Sequence, residues 1–320
     1  MNRNLISLWL SILLSVVDAL PDVTNKTTVL SLAELAANAY RYPEDRNTSY
    51  WRNSTLQWEY MHSYGWKVDG LRGHMFKHVQ EDIIVISVKG TSLNSAKDKE
   101  SANMICSCNC CYSNCTNACD RDRLLQSLPN MYLSLLIKAY EEMRKNYSDH
   151  QFWFTGHSMG AVIAALAGVK TCNPALGFSA PGEQLFADRI GLQHKCGDAL
   201  PPIYHIGYYR DPIYVGNCGW LCSLAGYRMD SKCHHGYECT YKDSKDETPE
   251  TPEPPDEPHG MMQRLMFNGQ DELDELDLSP LGSGMIYTHT INFLIDKVIK
   301  PADEVPKCFA EFNCTEKCSD

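Results

Sequence analysis

The chain has 320 residues, of which 43% are hydrophobic and 22% charged; this is ordinary globular composition and excludes wholesale disorder and fibrous repeats. Its formal net charge of −11 argues against a surface built to neutralise nucleic-acid phosphates. Most of that charge is local, because residues 242–278 hold twelve acidic side chains against Lys242, Lys245 and Arg264.

The N-terminus carries a thirteen-residue apolar run, Leu5 to Val17, behind Arg3. A membrane span needs about 20 apolar residues, so the run suits the core of a signal peptide. Val17 and Ala19 are small residues placed for cleavage after Ala19. The expectation is a signal peptide over 1–19, with a short signal-anchor as the alternative, and one domain over 20–320. Six Asn-x-Ser/Thr sequons, at Asn25, Asn47, Asn53, Asn114, Asn146 and Asn313, fit a secretory route. So do fifteen cysteines, all after residue 105, which in an oxidising lumen are read first as disulfides.

Leu30, Leu32, Leu35, Ala36 and Ala39 predict a short amphipathic helix over 30–40, capped by Ser31. Residues 41–70 are aromatic and Gly-rich without a clear period. Ile83–Val88 is a β-branched run of buried-strand length. Six cysteines crowd a segment at 104–120, which is expected to be an insertion. Leu124–Tyr147 has helical spacing interrupted at Pro129. Strands follow at 151–155, 175–178 and 203–209, with a helix at 160–170 between the first two. This alternation predicts a mostly parallel sheet wrapped by helices. Residues 242–259, with five prolines and seven acids, read as an extended or disordered acidic loop. The run 271–278 reads as a solvated acidic helix, and Met261, Met262, Leu265, Met266 and Phe267 before it as either core or a membrane-touching patch. Residues 291–299 are again apolar-periodic.

Gly156-His157-Ser158-Met159-Gly160 matches the G-x-S-x-G nucleophile elbow. The pattern alone is weak, but here a strand precedes it and a helix dense in small residues follows. Glycine on both sides lets strand and helix approach closely, and the helix N-terminus aims N–H groups at the reacting oxygen. A serine needs a base, and the base an orienting acid. In this fold class they follow the serine in the order acid, then histidine. His289 stands just before the periodic segment 291–299, free to face Ser158. Asp211 follows the strand 203–209, where an open α/β sheet presents functional groups; Asp188, Asp198 and Asp230 are rivals. The oxyanion donors expected are the Met159 N–H and Thr91, the latter in the loop after the strand 83–88.

These residues carry a resemblance. The chain resembles the class 3 (fungal-type) lipases, and within them the autophagy-related vacuolar lipases of fungi. The matching motifs are Gly65-Trp66, Asp69–Phe76, Val88-Lys89-Gly90-Thr91-Ser92, Thr155–Gly160, Ala180-Pro181-Gly182-Glu183, Asp211-Pro212-Ile213, Cys233-His234-His235-Gly236 and Thr288-His289, in family order over about residues 30–300. The resemblance implies an α/β-hydrolase fold and a Ser158, Asp211, His289 triad. It also implies hydrolysis of glycerolipid carboxylic esters, triacylglycerol or the phospholipid of vesicles delivered to a vacuole or lysosome. The cysteine-rich insertion then falls where related lipases carry a lid. The partner expected is a lipid at a membrane or lipid–water interface, with no nucleic acid, no cofactor and no metal. A secreted general or feruloyl-type esterase, a serine peptidase, and a catalytically silent lipid-binding module are the rival readings.

Overall fold

The structure is a computed structural model and describes residues 22–67, 70–92, 95–106, 125–126, 128, 131–192, 196, 202–218, 231–243 and 287–310. The 1–19 leader, nearly all of the 104–120 insertion, all but the first two residues of the 242–259 loop, the Met-rich patch and the 271–278 helix lie outside the described residues. Among the described residues no helix is long and apolar enough to cross a membrane.

An eight-stranded sheet organises the chain, with its strands in sequence order. They are β1 (Trp58–Tyr64), β2 (Gly73–His78), β3 (Ile83–Val88), β4 (Gln151–His157), β5 (Ala175–Phe178), β6 (Ile203–Tyr208), β7 (Tyr237–Tyr241) and β8 (Phe309–Ala310). Strands β3 to β7 run parallel, and antiparallel pairs close both ends. The helices are α1 (Lys26–Asn38), α2 (Ala96–Cys106), α3 (Tyr132–Asn146), α4 (Met159–Thr171), α5 (Gln184–Arg189) and α6 (Ile291–Phe293), which continues as a π-helical stretch over Leu294–Ile299.

Pleating divides the core in two. Along β3, Ile84, Ile86 and Val88 pack into one apolar cluster with α3 and α4, while Ile83 and Val85 join α1 and the Leu294–Ile299 stretch in the other. Each sheet face is thereby covered, which is why the central strands read as mostly apolar runs. Helix α4 is buried from Met159 to Val169, so it has no polar face to reveal a helical period.

The strands at 83–88 and 175–178 lie where the sequence reading put them, and β4 extends to His157 and β6 stops at Tyr208. One correction concerns α1. It begins at Lys26, and Asn25 is its cap, accepting from the Thr27 and Thr28 N–H groups. Ser31 is inside the helix and buried, where its hydroxyl accepts from the Trp58 indole N–H at 2.7 Å. A sequon asparagine does the work assigned to a serine because Asx side chains also cap helices well. Disulfides join Cys172 to Cys196 and Cys239 to Cys308. The second ties β7 to the C-terminal segment.

Candidate active site

Strand β4 ends at His157, and the chain turns into α4 through Ser158 at φ 56° and ψ −127°. A non-glycine residue in that region is strained and is held only by its surroundings. The flanking glycines explain how. A Cβ on Gly156 would lie 2.5 Å from the Gly160 backbone, and one on Gly160 would lie 2.2 Å from the Val88 carbonyl oxygen. Only glycine at both positions lets β3, β4 and α4 meet this closely.

Asp211 is fully buried just after β6, and its Oδ1 accepts from the Ile213 N–H at 3.0 Å and the Tyr214 N–H at 3.3 Å. His289 sits before α6, whose first turn is capped by the Thr290 hydroxyl. The two meet across 78 residues: His289 Nδ1 lies 2.9 Å from Asp211 Oδ2 and 3.0 Å from Oδ1. A carboxylate only accepts, so Nδ1 carries the proton and Nε2 is left to accept. Ser158 Oγ is 2.9 Å from that Nε2. The structure thus brings Ser158, His289 and Asp211 into one hydrogen-bonded chain at the C-terminal edge of the parallel strands, with the serine only 7% exposed. The rival Asp188 lies in α5, outside this chain, and Asp198 and Asp230 lie outside the described residues.

Met159 opens α4, and its first-turn N–H has no intrahelical acceptor. Thr91 follows Gly90 at the end of β3, where a Gly90 Cβ would approach His157 O to 2.6 Å. That loop is braced by groups the sequence reading missed. Buried Asp98, on α2, accepts from the Ser92 N–H at 2.7 Å and from the Tyr132 hydroxyl at 2.6 Å. Buried Lys89 donates to Gly90 O at 3.0 Å, bonds the Ser92 hydroxyl and lies 3.5 Å from Asp98.

His157, the variable residue of the elbow motif, is a second omission. Its Nε2–H donates to the His289 carbonyl at 2.7 Å, and its Nδ1 accepts from the Tyr40 hydroxyl at 2.8 Å. Burial first, and the neighbouring His289 second, push its pKa down to about 3, so it stays neutral and keeps that donor–acceptor polarity. The signal for it was in the motif, of which only the serine, the glycines and Met159 were read.

A third cluster lies further back on the same sheet. Glu183, after β5, meets His205 of β6 and His234 and His235 before β7. Burial alone would raise the Glu183 carboxyl, but the facing His205 and hydrogen bonds from His234 and His235 hold it well below its usual range. The sequence reading had Glu183, His234 and His235 only as parts of motifs without a role, and His205 only as a residue of the strand 203–209.

Residues 85–174 match the family model described as Lipase (class 3). The chain is 37% identical over 255 residues to "Putative lipase ATG15" of Vanderwaltozyma polyspora, covering 69% of this chain and 44% of that protein. It is 35% identical over 253 residues to the protein of the same name from Saccharomyces cerevisiae (strain ATCC 204508 / S288c), covering 69% of this chain and 48% of that protein. The chain therefore spans about half the length of these curated relatives. Among solved structures it aligns with lipase II from Rhizopus niveus at 16% identity and a TM-score of 0.41, covering 68% of this chain and 81% of that one.

Proposed function

The chain belongs to the class 3 lipase family, and from that premise we propose that it hydrolyses glycerolipid carboxylic esters through Ser158. The observation that carries the reading is the hydrogen-bonded run from Asp211 through His289 to Ser158, set on a strained turn at a helix N-terminus. Ser158 Oγ attacks the acyl carbonyl carbon while its proton passes to His289 Nε2. Asp211 keeps the imidazole in the tautomer that accepts there and stabilises the imidazolium. The tetrahedral oxyanion is held by the Met159 N–H and by Thr91. His289 then returns the proton to the leaving glycerolipid alkoxide. Water, deprotonated by the same imidazole, releases the fatty acid from the acyl-serine.

The substrates we propose are triacylglycerol and phospholipid presented at a membrane or lipid–water surface. The setting is a vacuole or lysosome where membrane vesicles such as autophagic bodies are broken down, as the resemblance to the autophagy-related vacuolar lipases implies. A secretory route is supported by the two disulfides. It is supported too by the exposure of every described sequon asparagine: Asn25, Asn47, Asn53 and Asn146.

The test is purified protein and its Ser158→Ala variant assayed on triglyceride emulsion, phospholipid vesicles and aryl esters. Fatty-acid release from the first two, falling at least about 10⁴-fold in the variant, is expected. Equal release by both proteins overturns the reading.

A further inference from the structure

Glu183 and His205 have no exposed surface, and His234 keeps 1%. Their polar atoms converge: His205 Nε2 lies 3.3 Å from Glu183 Oε1, and His234 Nδ1 lies 3.1 Å from Oε2. His235 Nδ1 is 3.6 Å from Oε1 on the one side that retains exposure. Among the described residues no lysine or arginine pairs with Glu183. Its buried carboxylate is balanced either by a proton on an imidazole or by a cation among the donors.

Two observations weigh against the proton. The His205 and His234 rings stack with centroids 4.5 Å apart and planes at 25°, which penalises a charge on both. Both ring nitrogens of His205 and Nε2 of His234 are buried without a hydrogen-bond partner. Nδ1 of His205 is thus buried with no acceptor, and Nε2 faces only the Glu183 carboxylate at 3.3 Å without an aligned hydrogen bond. A cation on the Nε2 lone pair of His205 removes one of these orphaned atoms and supplies the balancing charge.

The spacing fits a small transition-metal ion. With zinc–ligand distances of about 2.0–2.1 Å in a tetrahedral site, neighbouring donor atoms lie about 3.3–3.4 Å apart. The donor atoms of Glu183, His205 and His234 all lie within 4.8 Å of one another. The surroundings suit ligation too. Glu238 Oε1 lies 4.0 Å from Nε2 of His234, beyond hydrogen-bond reach but on the side where a carboxylate would orient a ligating imidazole. The segments bearing the donors are locked together by Gly182 N–H to Ser231 O at 2.9 Å and Gln184 N–H to Cys233 O at 3.0 Å.

We propose that Glu183, His205 and His234 bind a divalent transition-metal ion of the zinc class, with His235 as the fourth donor at the rim. A site so fully closed is structural. The ion ties the loop after β5 to β6 and to the segment entering β7, and so stiffens the strand that carries Asp211.

The test starts with the full chain purified from a secretory host without chelators or metal-affinity resin, its metals counted by inductively coupled plasma mass spectrometry. About one zinc per chain is expected. Stripping with dipicolinate should lower Tm by at least about 4 °C, and zinc should restore it. Cobalt(II) added to stripped wild-type protein should give tetrahedral d–d bands without thiolate charge transfer. Glu183→Gln and His234→Asn should each cut occupancy to below about a tenth. Should those variants fail to fold, the wild-type cobalt spectrum decides alone. Protein that takes up neither zinc nor cobalt overturns the proposal. So do thiolate bands, or full occupancy in a folded Glu183→Gln variant, because either places the metal elsewhere.

Discussion

Strand β6 serves two carboxylate–imidazole clusters six residues apart in sequence, one through His205 and the other through Asp211, which follows its end. At the edge of the sheet, Asp211 holds an imidazole that is 11% exposed and faces a serine hydroxyl. His205, in the middle of the strand, and Glu183, after β5, are wholly buried. The same functional groups thus serve different ends according to their position. On the proposed function, loops and helix termini bring in a nucleophile, N–H donors and access for a substrate where the strand runs out. Where it is paired on both sides, by β5 and β7, the groups hold elements together.

Substitutions at the two clusters should separate these roles. Asp211→Asn should reduce kcat on a phospholipid or triglyceride substrate by about 10⁴-fold, as the amide favours the wrong imidazole tautomer, while Tm changes little. Glu183→Gln should do the reverse, lowering stability by about 3–5 kcal/mol in urea unfolding and leaving kcat of the folded fraction within about 3-fold. A variant at 183 that folds normally yet loses catalysis would break the comparison.

His157 joins the two behaviours, being buried yet bonded to the catalytic loop. His157→Phe should cost about 2–3 kcal/mol, because the Tyr40 hydroxyl and the His289 carbonyl both lose a partner. It should also lower kcat about 10-fold by loosening the base. Its pH signature follows from the sign of the shift. The folded pKa lies near 3, and the unfolded one near the ordinary 6.5. The neutral burial of His157 is therefore least costly above about pH 6.5 and costs stability as pH falls towards 3. The Phe variant should show a shallower fall of Tm over that range. His74, pushed down to about 4 chiefly by burial, contributes in the same direction and remains in the variant.

The smallest effect is expected at Arg52→Ala. Its pairing with Asp296 at 2.6 Å is partly exposed, at 23% and 39%, and such pairs contribute about 0–1 kcal/mol. A larger loss would assign structural weight to the surface between α1 and α6.

How much of this was legible beforehand follows the same division. The strands at 83–88 and 175–178 announced themselves because both faces are buried and every residue but Ser87 is apolar or glycine. Strand β1 did not. Its residues alternate only roughly between half-buried and exposed, and its register with β2 shifts between Tyr60 and His62, so period-two patterning is broken. Strand β7 is five residues of mixed polarity recognisable only from its pairing with β6. At the candidate site, Ser158, Asp211 and His289 were legible because the elbow pattern and the chain order constrain them. Asp98, Lys89, Tyr40 and the Glu183 cluster were not. Their meaning lies in contacts between distant segments, 51 residues apart for His234 and Glu183, that no local spacing encodes.

The most direct test of the central claim is to label the intact protein with an active-site-directed organophosphonate and map the adduct by mass spectrometry. One phosphonyl group per chain, carried on Ser158 and lost in His289→Ala, is the result predicted by a serine whose proton is taken by that imidazole. An unlabelled Ser158, or labelling undiminished in His289→Ala, would contradict it.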